Sequence, residues 1–580
     1  MTMKMGICGL CLAATAACAG STNDNFSDTW VAADGLGRPV ATAEQAGPPR
    51  PDRFVAMFYF LWHEGGRPGP FDVSRIRAAD PAAMQKPTSP PWGPLHAFHY
   101  WGEPLFGYYL DDDPWVIRKH AQLLADAGVD AVIFDASNRY TYRHNYLSLM
   151  EVFRQLRREG NRTPQIAFLA PFGDCASTVQ ELFDQLYAPG QFEELWFRWE
   201  GKPLILADPA HVHPGPQAFF TFRTPQPDYF RGQTGPDMWS WLEVFPQHVF
   251  TNAAGGREQM SVGVAQNAVG SRLGSMSEPG SRGRSFSGGR TVADAEAQGL
   301  NFAEQWERAL KEDPKLVFVT GWNEWIAMRF DEFNGVRQPP LFVDAFDLEH
   351  SRDIEPMQGG HGDAYYYQFA GFVRRFKGAR PAPVAGPAKT IRLDGPWAQW
   401  EDVQPAYVDD AGDTAHRAHP GWGTAGPYTN RTGRNDFVLL KIARDERNLY
   451  AYARTREPVT AAEGADWMTL WINAGAATGW AGYDFAVNRR RDAGGRALIE
   501  RLAADAKGQP VGEAALRVEG CALMLAIPRA ALGLAENARP LRFEFKWADG
   551  FRDAGDIDAF TLNGDAAPDG RFNYLFHEAK

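Results

Sequence analysis

Short apolar runs recur through the first two-thirds of this chain, at 54–60, 129–134, 165–169, 203–207, 219–222, 238–242, 260–265 and 316–320. Runs of that length, bounded by turn residues, read as strands buried on both faces. Most of the intervals are long enough for a crossover helix. The clearest is 115–127, where Val116, His120, Leu123, Leu124 and Ala127 share one helical face and Gly128 supplies the stop. Eight such strands alternating with helices predict an α/β chain built on a closed parallel (β/α)8 barrel. After the fifth to seventh runs the helices would be short. A final amphipathic helix is expected over 365–376, and the Pro-rich stretch 378–388 then closes a barrel domain spanning 53–377.

Beyond residue 389 the texture changes. Runs at 437–442, 449–453, 467–472, 483–487, 522–527 and 541–547 alternate or stay short, with turn residues between them, which predicts an all-β sandwich over 389–580. At the other end, residues 1–18 carry Lys4, an apolar run 7–17 and Cys18, the pattern of an export signal too short to span a bilayer. Cys18 after Thr15-Ala16-Ala17 resembles a bacterial lipoprotein signal, with plain secretion and cleavage near Ala19 as the alternative. An exported protein of the periplasm or cell surface is therefore expected, with 19–52, rich in Gly, Pro and Ala, as a tether. Only Cys175 and Cys521 remain after that segment, so no disulfide framework is implied. A net charge of −12 argues against nucleic acid or an anionic membrane surface as partner.

A residue just past the C-terminal end of a barrel strand faces the open mouth, and one in mid-strand fills the core. By that rule Asp135, Asp208, Glu243, Glu324 and Asp331 or Glu332 are the mouth carboxylates. Glu324 stands in Trp322-Asn323-Glu324-Trp325, directly after the run 315–320, and indoles are what sugar rings stack on. Cleaving a glycosidic bond takes two carboxyl groups, one to protonate the leaving oxygen and one to attack or to activate water. Glu324 is the first candidate and Glu243, in Trp239-Ser240-Trp241-Leu242-Glu243, the preferred second. Asp135 is read as a ligand to substrate hydroxyls or as an orienting group. The long segment after the first strand contributes Trp62, His63, Glu64, Trp92, His96, His99, Tyr100 and Trp101, whose spacing fits no metal site and suits a sugar-binding wall. Glu355 and His361, in the segment 351–363, are further binding candidates, with helix capping by Asp363 as the plainer role of that stretch. The loop 266–290 holds Arg272, Arg282, Arg284 and Arg290, either a clamp for an anionic sugar or a solvated loop.

Three stretches together resemble glycoside hydrolase families 71 and 99: Trp322-Asn323-Glu324-Trp325, the run Trp-Phe-Arg-Trp-Glu-Gly-Lys-Pro-Leu-Ile at 196–205, and Ile354-Glu355-Pro356. The resemblance covers roughly 53–377. It implies a (β/α)8 barrel, and family 99 acts on α-mannosides with retention of configuration through a Glu-Trp-x-Glu motif, whose first Glu is a base toward the sugar's own 2-hydroxyl and whose second is the general acid. Glu324 occupies the first position and Ala327 the second, so the implied acid is missing from its place and Glu243, Asp331 or Glu332 would have to supply it. The portion around 391–397 and 479–485 resembles family 9 carbohydrate-binding modules, which would make Trp480, Tyr483 and Trp422 stacking residues, with core packing as the alternative. Asp409, Asp410 and Asp413 offer oxygen ligands for a structural calcium ion or form an ordinary acidic turn; no other cofactor is expected.

The expected activity is hydrolysis of O-glycosidic bonds in a poly- or oligosaccharide. Ala327 keeps open a non-catalytic glycan-capture protein on a degenerate barrel, and the Arg-rich loop keeps open a polysaccharide lyase acting on a uronate.

Overall fold

The computed structural model describes residues 24–86, 90–464, 466–476, 479–534, 540–551 and 555–579. The export signal expected at 1–18 lies outside them, and no helix among them is long and apolar enough to cross a membrane.

All eight barrel strands form where the apolar runs predicted them: β1 Phe54–Tyr59, β2 Ala131–Asp135, β3 Gln165–Leu169, β4 Lys202–Leu206, β5 Thr221–Gln226, β6 Met238–Ser240, β7 Arg257–Gly263 and β8 Leu316–Thr320. They pair in parallel in chain order from β1 to β6, and β8 pairs in parallel with both β1 and β7. The period-two alternation then sorts the side chains. Ala56, Phe58, Ile133, Ala167, Leu204, Leu206 and Phe318 fill the interior, and Val55, Met57, Val132 and Val317 face outward into the larger core beneath the helices.

Only β6 and β7 lack a backbone ladder. Here a side chain does the work of a strand: Ser240 N–H donates to Gln259 Oε1 at 3.0 Å, and Gln259 Nε2 donates back to the Ser240 carbonyl at 2.8 Å. A Gln259→Leu variant therefore strands two buried backbone groups of β6, at a cost of about 2–4 kcal/mol. The expected outcome is a lower Tm and faster amide exchange at Ser240, with exchange in β2 unchanged.

Crossover helices follow β1 (α1, Pro114–Asp126), β2 (α2, Arg143–Glu159), β3 (α3, Ala176–Leu182), β4 (α4, Pro214–Phe219), β7 (α5, Leu300–Glu312) and β8 (α6, Ala364–Lys377). Helix α1 starts where the sequence is cut for it: Asp113 accepts from Trp115 N–H at 3.0 Å, with Pro114 in the first position. No helix follows β5 or β6. Pro227, Gly232, Gly235 and Pro236 break the first of those intervals, which is also too short to hold a crossover helix.

The C-terminal region is built on antiparallel strands, most of them joined in one path, with Tyr574–His577 branching off it and Arg417–His419 pairing with Tyr428–Asn430 as a separate ribbon. The long strand Gly508–Glu519 pairs with Ala497–Leu502 through its first half and with Ala522–Pro528 through its second. The sheet doubles back there, so that its two ends meet face to face, Tyr407 against Phe545 at 4.9 Å and Phe437 against Trp547 at 6.1 Å. Trp480 and Tyr483 lie buried in a cluster with Trp471, Phe551 and Phe560, and Trp422 packs edge-on against Tyr100 of the barrel at 5.6 Å. These three aromatics are core and present no platform to solvent, against the stacking role implied by the resemblance.

The tether expected over 19–52 is also corrected for the residues described. Trp30 packs against Phe572 and Tyr574, Val31 bridges to Asn573, and Arg374 of α6 donates to the carbonyls of Ser27 and Trp30 at 2.7 and 2.8 Å. This strap ties α6 to the β-region with only a 3-10 turn at Ser27–Thr29 and one helical turn at Ala43–Ala46 as regular structure among its described residues, too little to show as periodicity in the sequence.

Candidate active site at the barrel mouth

The motif after β8 is held from two directions. Trp322 N–H donates to the Phe58 carbonyl at 2.9 Å, and the Asn323 side chain both accepts from Phe60 N–H at 2.9 Å and donates to its carbonyl at 3.1 Å, so the end of β1 fixes this turn. From the other side the segment 351–355 zips onto it. Gly321 N–H donates to Arg352 O, Ile354 N–H to Gly321 O and Glu355 N–H to Trp322 O, each at 3.1 Å, while Asp353 accepts from Glu324 N–H. The two stretches singled out separately in the sequence are thus one structural unit.

Below it lies a buried polar relay. Glu355 accepts from Trp325 Nε1 at 2.5 Å, Tyr109 OH at 2.8 Å and His120 Nε2 at 2.9 Å, and His120 Nδ1 meets Tyr59 OH at 2.8 Å. Trp101 stacks on Trp325 with centroids 4.6 Å apart and donates to Asp353 at 2.6 Å; burial pushes that carboxyl up to about 6.

Glu324 emerges from this frame into a cavity of about 200 Å³ lined by Phe58, Phe60, Trp62, Asp135, Ser137, Asn138, Leu169, Phe172, Trp241, Asp344 and Arg352. The cavity sits over the C-terminal ends of β1, β2, β3, β6 and β8. Phe60 stacks on Trp62 at 5.2 Å, and Trp241 closes on Phe58 at 5.7 Å with the Arg352 guanidinium also 5.7 Å from its ring. The indole N–H groups of Trp62 and Trp241 are buried without a protein partner, two donors available to an incoming oxygen.

Glu324 is 3% exposed. Its Oε2 meets Arg352 Nη2 at 2.6 Å and Nε at 2.9 Å, and the same Nη2 reaches Asp344 Oδ1 at 3.5 Å. One nitrogen shared in this way keeps those two oxygens no more than about 6.1 Å apart. Burial drives the Glu324 carboxyl well above its ordinary range even though Arg352 opposes the shift. Asp135 is likewise raised by burial, with its Oδ1 accepting from Ser137 N–H at 2.9 Å. The Asp344 side chain is 39% exposed and so keeps its water.

Several expected site residues lie elsewhere. Glu243, the preferred second carboxylate, is fully buried beside the barrel and spends both oxygens on His248, at 2.7 Å to N–H and 2.9 Å to Nδ1; burial lifts it to about 7, and it does not line the cavity. Short β6 ends at Ser240, so the chain has already turned outward by residue 243. Trp239 points down into the barrel, donating to Glu258 at 2.7 Å. Trp322, Asn323, Trp325, Trp101 and Glu355 form the frame under the site rather than its surface. His63 is buried against Asp111 at 3.1 Å, and His99 lies between the carbonyls of Ala97 and Trp92 at 3.0 and 2.8 Å, where burial depresses it to about 4. His361 is buried beside Trp101 and Tyr365, so these three histidines are core packing; of the expected wall, His96 is exposed and Trp62 lines the cavity. Asp363 takes Arg571 and makes no cap bond to α6, and Asp208 caps the turn Pro209–His211. In the basic loop, Arg284 is buried over Trp101 and Tyr365 and donates to Asp353 O at 2.8 Å, and Arg272 pairs with Glu278. None of the four arginines lines the cavity.

Glu324, Asp135, Trp62 and Trp241 are therefore the predicted residues that converge. Arg352 and Asp344 were missed as functional groups. Arg352 was visible only as part of a mouth segment, and Asp344 follows a hairpin, Ile326–Phe333 with Val336–Phe342, that no periodicity announces. Ala327 pairs with His99 inside that sheet, is buried and does not line the cavity.

No protein-family model matches the chain, and no curated protein matches it in sequence. Among solved structures it is similar to an endo-α-mannosidase of glycoside hydrolase family 99 from Bacteroides thetaiotaomicron, at 17% identity over 57% of this chain and 100% of that one, with a TM-score of 0.33. The same enzyme in complex with bis-tris-propane gives 16% identity, 56% and 97% coverage and a TM-score of 0.32. A glycoside hydrolase-like protein gives 13% identity, 58% and 99% coverage and a TM-score of 0.32.

Proposed function

We propose that this chain is an exported glycoside hydrolase acting on O-glycosidic bonds of a poly- or oligosaccharide, with Glu324 as general acid and Asp344 as its charged partner. The observation that carries this reading is the desolvated Glu324 carboxyl, in an aromatic-lined cavity at the strand ends, sharing Arg352 with a hydrated Asp344. Burial keeps the proton on Glu324 for delivery to the leaving oxygen. Once the proton has left, Arg352 at 2.6 Å stabilises the carboxylate, which then serves as base toward water. With its facing oxygens no more than about 6.1 Å apart, the pair is close enough for Asp344 to act directly on the sugar in place of a water, the arrangement of enzymes that pass through a covalent glycosyl intermediate. Asp135 and the free indole N–H groups are placed to hold sugar hydroxyls. Export rests on the residues 1–18 alone.

Because the raised folded pKa keeps Glu324 protonated, activity is present at low pH and is lost as pH rises through that pKa. The alkaline limb of the rate profile is expected above the ordinary glutamate range. The test is incubation with a glycan panel, reading new reducing ends. Asp344→Asn is expected to lower kcat by about 10²-fold or more, whereas Asp135→Asn acts mainly on KM. Equal kcat losses in both variants would reject Asp344 as the special partner.

The second reading, a glycan-capture protein, is favoured by the burial of Ala327 where the resembled family places its acid. Binding without new reducing ends would establish it. The lyase reading loses its support, since neither a Tyr nor a His is among the cavity-lining residues described.

A further inference from the structure

The seam between α1 and the C-terminal region contains a group of buried carboxylates that the catalytic reading does not use. Asp409, Asp413 and Asp565 each place one oxygen within 4.8 Å of the others. They are 6%, 3% and 4% exposed. Asp409 Oδ2, Asp413 Oδ1 and Asp565 Oδ1 have no hydrogen-bond partner, and neither does Oδ1 of the adjoining Asp436. Of the other oxygens, Asp565 Oδ2 accepts from Phe437 N–H at 2.6 Å and Asp436 Oδ2 from Gly412 N–H at 2.8 Å.

The nearby cations are engaged elsewhere. Lys119 Nζ goes to Asp569 at 3.2 Å, Lys546 Nζ goes to the Pro568 carbonyl, and Arg162 donates to Asn25 O at 2.9 Å. From the barrel side, Gln122 of α1 donates through Nε2 to Asp413 Oδ2 at 3.2 Å and keeps a buried Oε1 with no partner. This unpartnered amide oxygen belongs to a different region of the chain and lies beside the acidic group.

Burying one unpaired carboxylate costs several kcal/mol, and a convergence of three needs either shared protons or a cation. Two oxygens each about 2.4 Å from one calcium ion stand no more than about 4.8 Å apart, which is the observed ceiling, and an all-oxygen, carboxylate-rich donor set is the one calcium prefers. We propose that Asp409, Asp413 and Asp565 bind a calcium ion, with Gln122 of α1 as a further ligand, and that the ion locks the C-terminal region to the barrel. Asp410, which the sequence placed in the same acidic turn, is outside the set because it takes the Asn25 amide.

The test uses the full chain. Elemental analysis of the purified protein is expected to give one calcium per chain, and removal with EGTA to lower the Tm by about 5 °C or more, reversed by calcium. Asp565→Asn should lose the bound ion and the response of Tm to calcium, while Asp410→Asn keeps both. Should Asp565→Asn fail to fold, calorimetric titration of the chelated wild-type chain with calcium decides the matter. Absence of bound calcium together with a Tm indifferent to EGTA overturns the proposal, as does full recovery with magnesium alone. A calcium-indifferent Tm that climbs on acidification would mean that the group is held by protons.

Discussion

Replacing Glu324 by glutamine is expected to lower turnover by about 10³-fold while leaving substrate affinity within a few fold of wild type. Glutamine keeps the shape and still accepts from Arg352, so the frame of residues 321–325 and 351–355 persists. What disappears is the proton that the buried carboxyl holds for the leaving oxygen. Product release measured against calorimetric binding of the same glycan separates the two effects. A variant that retains near-normal turnover removes Glu324 from the chemistry, and one that fails to bind shifts its role to substrate recognition.

The largest loss of stability is expected from Glu355→Ala. Three buried donors, from Trp325, Tyr109 and His120, converge on this one carboxylate. Deleting it orphans all of them, at a cost of about 3–6 kcal/mol. Glu355→Gln is expected to cost far less. Its carbonyl oxygen serves Trp325 and Tyr109, and its amide faces His120, whose ring switches tautomer by donating from Nδ1 to Tyr59. Thermal melts of the two variants give the ranking, and equal destabilisation would show that charge rather than hydrogen bonding holds the relay together. Because Trp325 stands next to Glu324, Glu355→Ala should also depress kcat, whereas Gln259→Leu at the β6–β7 seam should not.

How much of this was legible in the sequence differs by element. The barrel strands were readable because each is a continuous apolar run, the signature of a strand covered on both faces. Helix α1 was readable from its spacing and from Gly128 as its stop, and its Asp113 cap was not. The missing helices after β5 and β6 were foreshadowed only by short intervals. Trp480, Tyr483 and Trp422 left both stacking and core open because an aromatic written in a line of letters carries no burial, and the fold made all three core.

The sequence by itself determined the eight strands, the position of Glu324 just beyond the last of them and the antiparallel character of the C-terminal region, because local periodicity and strand-end placement are properties of neighbouring residues. Only the tertiary structure decided that Arg352 and Asp344 share the cavity with Glu324, that Glu243 belongs to His248, and that Asp565 joins Asp409 and Asp413 across 150-odd residues. Those arrangements depend on desolvation and on electrostatics within the closed fold, mostly between groups far apart along the chain, which act only after the strands have closed and the β-region has docked.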